Sequence, residues 1–332
     1  MEPATIQPMI SVCVLTYNHE AYIAETIEGI VKQQHDYLWE FIIADDKSKD
    51  KTQEIILSYK EKYPFIKVIF QNPNVGASQN FIDLFTAATG KYIAICEGDD
   101  YWTDPLKLKK QVDFLEANPE YAMCFHAVNI LEEGKELFIS PLNLSRKEET
   151  FTIEDLAKKN LAHTPSVMYR NVLNARLPGW FIESPLGDYA LHMLHAKHGK
   201  ISYLPDVMAV YRRHTGGVFS TLKERDILLK SHKVMQLLLT ENLAAGVTEN
   251  LKLQRRKYIN DVLELSLSNN WNEELFRKDL VLLMDDDELM KEWVSRRLPQ
   301  EIVNLRNSNS FKLGQKISRL YQLLRFKRGN SK

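Results

Sequence analysis

The chain has 332 residues, enough for a substantial core or for one catalytic domain with a helical appendage. Hydrophobic residues at 44% and charged residues at 26% describe a soluble globular protein, and a net charge of −1 argues against a wholesale nucleic-acid binder. No stretch approaches the roughly 18 uninterrupted apolar residues of a spanning helix, and Met1 to Thr5 do not read as the start of a signal peptide, so any membrane contact is expected to be peripheral.

The first hundred residues alternate between short apolar runs and helical patterns. Strands are predicted at Ile10 to Leu15, Glu40 to Ala44, Ile66 to Gln71 and Tyr92 to Cys96. Helices are predicted near Ala21 to Gln33, Lys51 to Lys62 and Ala77 to Ala88. Continuous apolar strands alternating with helices indicate an α/β fold whose parallel sheet is covered on both faces. Cys13, Cys96 and Cys124 fall inside predicted strands and read as buried free thiols, which suits a reducing cytoplasm.

Asp104-Pro105 supplies an N-cap and first-turn proline for a helix to about Ala117. Met123 to Leu131 and Leu137 to Ile139 read as strands joined by a turn at Glu132-Glu133-Gly134-Lys135. Thr152 and Asp155 have the spacing of a capping box, Pro165 to Arg170 reads as a strand, and a helix is expected from Asp188 to His198. Strands Ile201 to Leu204 and Val207 to Arg212 follow, and Thr215-Gly216-Gly217 breaks the pattern. Beyond about Ser220 the apolar residues recur at helical spacing. The expected division is therefore 1–105 and 106–220 as two halves of one domain, and 221–332 as a helical region.

Polar groups cluster just past the ends of the predicted strands, where open parallel sheets bind ligands. They are Thr16-Tyr17-Asn18, Asp45-Asp46-Lys47-Ser48, Asn74-Val75-Gly76 with Asn80, and Gly98-Asp99-Asp100. Taken singly, each is also ordinary turn and cap chemistry. As an ordered set they resemble the nucleotide-sugar half of family 2 glycosyltransferases of the GT-A fold, over about two thirds of the chain.

That resemblance implies a role for each position. Thr16, Tyr17 and Asn18 form a floor for the base, with Tyr17 against a uracil. Asp46 accepts a hydrogen bond from the pyrimidine N3–H, with Asp45 in support. Asn74, Gly76 and Asn80 lie near the diphosphate, although Gln71 stands where some relatives have a basic residue. Asp99 reaches the ribose or a metal-bound water, and Asp100 ligates Mg²⁺ or Mn²⁺; Glu97 orients the loop. Asp188 is placed as the catalytic base, and His214, with Arg212 or Arg213, as part of a lid closing over bound donor.

The fold expected from the resemblance is GT-A, with a mostly parallel nucleotide-binding sheet followed by a helical C-terminal region. The function expected is inverting transfer of a sugar from a nucleotide-sugar donor, UDP-linked, to a glycan or lipid-linked acceptor in bacterial surface polysaccharide synthesis, aided by a divalent cation. Trp102, Trp180 and the His163-Thr164-Pro165-Ser166 turn line the sugar and acceptor sites or pack in the core. A non-catalytic sugar- or nucleotide-binding member of the same fold is the alternative. A dinucleotide-dependent enzyme is disfavoured because Thr16-Tyr17-Asn18-His19-Glu20 replaces a Gly-x-Gly-x-x-Gly turn. Phe311 to Arg328 contains no acidic residue and carries a Leu313, Ile317, Leu320, Leu324 stripe flanked by bases. This tail suits either the anionic inner face of a cytoplasmic membrane or a packing partner.

Overall fold

The computed structural model describes residues 9–140, 147, 149–217, 222–268 and the single positions 278, 279, 282 and 295. The basic tail from Phe311 lies outside the described residues. The chain divides into two compact units, Met1–Arg255 and Arg256–Lys332. In the second, Ile259, Val262 and Leu263 are buried and Ser266 hydrogen-bonds to Asp279.

The first unit is built on a ten-stranded sheet. Strands β1 (Ile10–Thr16), β2 (Trp39–Asp45), β3 (Ile66–Phe70) and β4 (Tyr92–Glu97) pair in parallel in the order β3-β2-β1-β4. They are joined by helices α1 (Ile23–Val31), α2 (Thr52–Lys62) and α3 (Ala77–Thr86). Every residue of β1 but one, and every residue of β2 but its first, is buried, as the unbroken apolar runs require of strands covered on both faces. Helix α1 buries Ile23, Ile27 and Ile30, spaced at the helical repeat along one face. Chain order reverses between β1 and β4, so the crevice beyond their C-terminal ends is the place where this topology admits a ligand.

After β4 come β5 (Tyr101–Trp102), α4 (Lys107–Ala117), β6 (Tyr121–Glu132), β7 (Phe138–Ile139), β8 (Glu149–Phe151), α5 (Ile153–Lys158), β9 (Met168–Arg170), α6 (Gly187–Ala196), β10 (Lys200–Arg213) and α7 (Glu224–Leu238). Helix α8 covers Ala245–Ser268. The sheet continues β4-β9-β6-β10-β5, with β7 on β6 and β8 on β10. Here only β6 and β10 are parallel, so the parallel character belongs to the first four strands and the second half is mixed.

The hairpin between β6 and β7 and the Thr152–Asp155 capping box form as the spacing predicts. Other elements differ. The two strands expected at Ile201 and Val207 are one, because β10 absorbs Pro205 and Asp206 in a register shift opposite β6. Thr164–Ser166 is a single 3₁₀ turn, so the strand expected from Pro165 begins only at Met168. Helix α4 starts at Lys107, with Asp104 accepting the Leu106 amide one turn earlier. Strands β5 and β8 carry too few residues to leave a periodic signal.

At the far edge from the crevice, Glu40 ties the parallel strands together. Its buried carboxylate accepts from Ser11 Oγ at 2.5 Å, Thr89 N at 2.7 Å and Thr89 Oγ1 at 2.8 Å, and pairs with Lys67 at 2.6 Å. Burial opposes its ionisation, but these bonds together hold it below the usual carboxylate range. A depressed folded value means that the stability it contributes is present above the unfolded pKa and is lost as pH falls through the folded one. Glu40→Gln is expected to destabilise the protein by about 1–3 kcal/mol at pH 7, by analogy with hydrogen bonds to charged groups. Chemical denaturation should show this gap narrowing as pH falls through Glu40's depressed value. Equal stability at pH 7 would contradict the role given to Glu40.

Candidate functional site

Strand β4 ends at Glu97 and delivers Gly98, Asp99 and Asp100 into the crevice beside the end of β1. The three carboxylates of Glu97, Asp99 and Asp100 each offer an oxygen, all lying within 4.8 Å of one another. The loop is braced from beneath: Thr26 Oγ1 on α1 donates to the carbonyls of Asp100 at 2.6 Å and Gly98 at 3.0 Å. The end of β10 crosses above it. There the Arg212 amide donates to Asp100 Oδ1 at 2.8 Å and its guanidinium to the Asp99 carbonyl at 2.6 Å. That guanidinium also pairs with Glu25 at 2.5 Å and stands 4.8 Å from the ring centroids of both Tyr22 and Tyr101.

Crowding three acids in a buried loop shifts their titration in different directions. Glu97 is pushed up to about 8 by burial and by the charges of Asp99 and Asp188. Asp100 is raised well above its ordinary value by burial, then by Asp99 and Glu97. Asp99 is also buried, but the His214 hydrogen bond and the neighbouring His19 and His214 outweigh that and hold it below the usual range. His214 Nε2 lies 3.0 Å from Asp99 Oδ2. His19, in turn, is lowered by burial.

Asp100 is 0% exposed. Asp100 turns inward to the Arg212 amide, whereas Asp99 faces the two histidines. Among the described residues, Asp99 Oδ1 and Asp100 Oδ2 are buried oxygens with no hydrogen-bond partner. Orphaned oxygens in a cluster of carboxylates are the donor set of a hard divalent cation, so the residues present fit one.

The base-side residues predicted from the sequence gather on the other flank. Tyr17, just past the end of β1, is 38% exposed, enough for its side chain to meet a ligand. Thr16 is buried, with Oγ1 3.2 Å from His19 Nδ1. Asn18 adopts φ 55° and serves the scaffold: its Oδ1 accepts the Lys49 amide and its own amide donates to Ser48 Oγ, both at 2.8 Å. Asp45 is occupied by Ser48 of the following loop and by Gln53 in the first turn of α2.

Asp46 accepts the Val75 amide at 2.7 Å on one oxygen and the Gly76 amide at 2.9 Å on the other. Asn74 donates to the Asp46 carbonyl at 2.6 Å, and Gly76 takes φ 86°, which glycine adopts without strain. Each Asp46 oxygen retains a second lone pair, so this carboxylate both fixes the Asn74–Gly76 loop and keeps acceptor capacity. Asn80 is buried and donates to the Ala44 carbonyl at 3.1 Å. Gln71 bonds to Asn80 and Asp83 at 3.2 and 2.8 Å, so its amide steadies α3.

Asp188 lies in the first turn of α6, a helix whose residues from Tyr189 to Ala196 are all buried. Packing therefore fixes where this carboxyl points. Burial raises its pKa against the opposing pull of nearby backbone amides. It sits within electrostatic reach of Glu97, since its charge contributes to the upward shift there. Trp102 is buried, donates to the Pro165 carbonyl at 3.1 Å and carries Lys107 Nζ 4.0 Å from its ring centroid, so core packing claims it. Trp180 bonds to Glu241 at 2.9 Å.

The model of the family described as glycosyl transferase family 2 matches residues 11–177, half of the chain. The chain belongs to glycosyl transferase family 2. An uncharacterized protein of Mycobacterium tuberculosis is 41% identical over 217 residues, 63% of this chain and 60% of that protein. The putative teichuronic acid biosynthesis glycosyltransferase TuaG of Bacillus subtilis is 35% identical over 49% of this chain and 62% of its own length. The chain thus spans about three fifths of the curated relatives it matches. Among solved structures, TarS of S. aureus in complex with UDP-GlcNAc aligns with a TM-score of 0.60 at 21% identity, over 82% of this chain and 79% of that one. The mannosyltransferase PcManGT from Pyrobaculum calidifontis, in complex with GDP-Man and Mn²⁺, aligns with a TM-score of 0.60 at 16% identity, over 96% and 81%. At these identities the two structures establish the shared GT-A fold.

Two residues of the site, His19 and Thr26, had no role from the sequence, and two others, Glu97 and Arg212, take places different from the loop-orienting and lid roles expected of them. Glu97 belongs to the carboxylate cluster itself, His19 faces Asp99, Thr26 holds the loop from α1, and Arg212 clamps it from β10. Only the run Cys96-Glu97-Gly98-Asp99-Asp100 carried a readable signal, in having three acids within four residues of a strand end. Gly98 has no room for a side chain, since a Cβ there would stand 2.5 Å from Thr16 Oγ1 and 2.9 Å from His19 Nδ1. Gly98→Ala is expected to displace this loop and lower kcat/KM by about 10- to 100-fold, the scale of an ångström-sized misplacement, while circular dichroism stays that of the parent. Parental kcat/KM would refute the close approach.

Proposed function

We propose that this chain transfers a sugar from a UDP-sugar to a hydroxyl group of a glycan or lipid-linked acceptor, with inversion at the anomeric carbon and with a divalent cation, Mg²⁺ or Mn²⁺. The observation that carries the proposal is the pair of orphaned, buried carboxylate oxygens on Asp99 and Asp100, set at the switch point of the parallel sheet with Asp188 in electrostatic reach. In support, one relative is named as a putative teichuronic acid biosynthesis glycosyltransferase, and the structural neighbours hold UDP-GlcNAc or GDP-Man. That company supports a place in surface polysaccharide synthesis.

Each residue then has a task. Tyr17 offers its exposed ring to the base, and Asp46, rigid through its two amide bonds, offers its spare lone pairs to the base edge. Asp100 and Asp99 would hold the cation through their unpartnered oxygens, with Glu97 completing the set. A bound cation would neutralise charge developing on the departing diphosphate. Asp188 takes the proton of the acceptor hydroxyl as that oxygen attacks the anomeric carbon from the face opposite the diphosphate. One displacement, carried out that way, inverts the configuration. His214 and the Thr215-Gly216-Gly217 turn close over the donor side, with the glycines as the hinge.

A general base must be ionised to act, and burial raises the pKa of Asp188. The acid limb of kcat should therefore lie above the ordinary carboxylate range, with rate falling as pH drops through it. Asp188→Asn keeps the shape but cannot take the proton. The expected result is a loss of at least ~10²-fold in kcat with UDP-sugar affinity nearly unchanged. A thermal-shift panel of nucleotide sugars with Mn²⁺ identifies the donor for this assay. Near-parental transfer by Asp188→Asn, or parallel loss of donor affinity and turnover, would overturn the base assignment.

A further inference from the structure

The carboxylate cluster has a nitrogen-bearing side to which the proposed function gives no chemistry. His19, in the loop after β1, places Nε2 3.8 Å from Asp99 Oδ2, the same oxygen that His214 Nε2 approaches to 3.0 Å. The two imidazole centroids are 6.3 Å apart, with the ring planes at 81°. One ligand atom from each of His19, Asp99 and His214 falls within 4.8 Å of the others. Both remaining ring nitrogens are engaged, His19 Nδ1 with Thr16 Oγ1 at 3.2 Å and His214 Nδ1 with the Gly216 amide at 3.2 Å. A metal-binding histidine usually donates its second ring N–H to a fixed acceptor, an arrangement that Thr16 Oγ1 permits for His19 and the Gly216 amide denies to His214.

The two rings are not equivalent. The Gly216 amide can only donate, so His214 Nδ1 is its bare acceptor nitrogen and His214 Nε2 carries the hydrogen given to Asp99. In that tautomer His214 Nε2 has no lone pair for a cation. Thr16 Oγ1 is a hydroxyl and accepts as readily as it donates, so His19 Nδ1–H can bond to it and leave Nε2 bare toward Asp99. At 3.8 Å His19 Nε2 and Asp99 are too far apart to satisfy each other by a hydrogen bond. Two ligands that share a cation at about 2.1 Å each can stand up to about 4.2 Å apart, which covers that separation.

We propose that His19 is a direct ligand of the divalent cation through Nε2, alongside Asp99. The inference rests on the cation-linked reading of the site given above. Its chemical consequence is selectivity. An imidazole nitrogen among carboxylate oxygens favours Mn²⁺ or Co²⁺ over Mg²⁺, which prefers an all-oxygen shell.

The test is pulsed electron paramagnetic resonance of Mn²⁺ bound to the full chain in the presence of UDP, read for ¹⁴N coupling from a coordinated imidazole. Calorimetric titrations with Mn²⁺ and Mg²⁺ run in parallel. The parent is expected to show the coupling, and His214→Gln to retain it. His19→Gln is expected to diminish the coupling and to weaken Mn²⁺ by at least ~10-fold, on the scale of altered metal-site histidines, with Mg²⁺ affinity within about twofold of the parent. Should His19→Gln fail to fold, retention of the coupling in His214→Gln still supports the assignment, and its disappearance there overturns it. Mn²⁺ bound without ¹⁴N coupling overturns the role of His19 and leaves the cation site standing. Absence of Mn²⁺ binding with UDP overturns both.

Discussion

The repulsion among Glu97, Asp99 and Asp100 is the constraint on which the rest of the site depends. Two unit charges 4 Å apart at an effective dielectric of about 20 interact by about 4 kcal/mol, so three ionised carboxylates cannot share this loop unaided. The protein answers in part with protons, since Glu97 and Asp100 are shifted upward. It answers in part with donors: His214 to Asp99 Oδ2, and the Arg212 amide to Asp100 Oδ1. What is left over, one buried oxygen on each aspartate, is a deficit that a cation and its bound diphosphate would fill. Relief of that repulsion is what would give the proposed cation its affinity for this loop.

That loop is held by residues from elements far apart in sequence. Thr26 from α1 bonds to its carbonyls, and Arg212 from the end of β10 reaches both aspartates while its guanidinium lies beside Tyr22 and Tyr101. Because His214 follows Arg212 by two residues, the segment expected to close over the donor is anchored to the same loop it would cover. In the proposed mechanism, closure and cation binding would therefore be linked mechanically through β10. The Glu40 cluster does the corresponding work at the opposite edge of the parallel strands, where it supports the sheet without touching the crevice.

Much of this was legible in the sequence for physical reasons. Strands buried on both faces need continuous apolar runs, so β1 to β4 and their helices were placed to within two or three residues. The candidate ligand positions stand out by their place beyond strand ends, and the roles expected of them come from the family resemblance. What was not legible depended on side-chain direction and on contacts between distant segments. Adjacent residues such as Asp99 and Asp100 point different ways, and nothing in their order says that the second turns inward to meet the Arg212 amide. Asp46 could not be seen to spend a lone pair of each oxygen on the Asn74–Gly76 loop, since that requires both loops in place. His19 carries no signal of its own in the sequence, since its place beside Asp99 is set by the fold. Two-residue β5 and the register shift in β10 are set by pairing partners, which local periodicity does not record.

The central claim is that nucleotide and cation bind as one unit at Asp99. Calorimetric titration of UDP into the full chain, with Mn²⁺ and then with excess chelator, measures it directly, and Asp99→Asn repeats the pair without the ligand. The account predicts that chelation weakens UDP at least ~10-fold in the parent and scarcely at all in Asp99→Asn, the tenfold marking about 1.4 kcal/mol of coupling. Equal UDP affinity with and without chelator in the parent would contradict it.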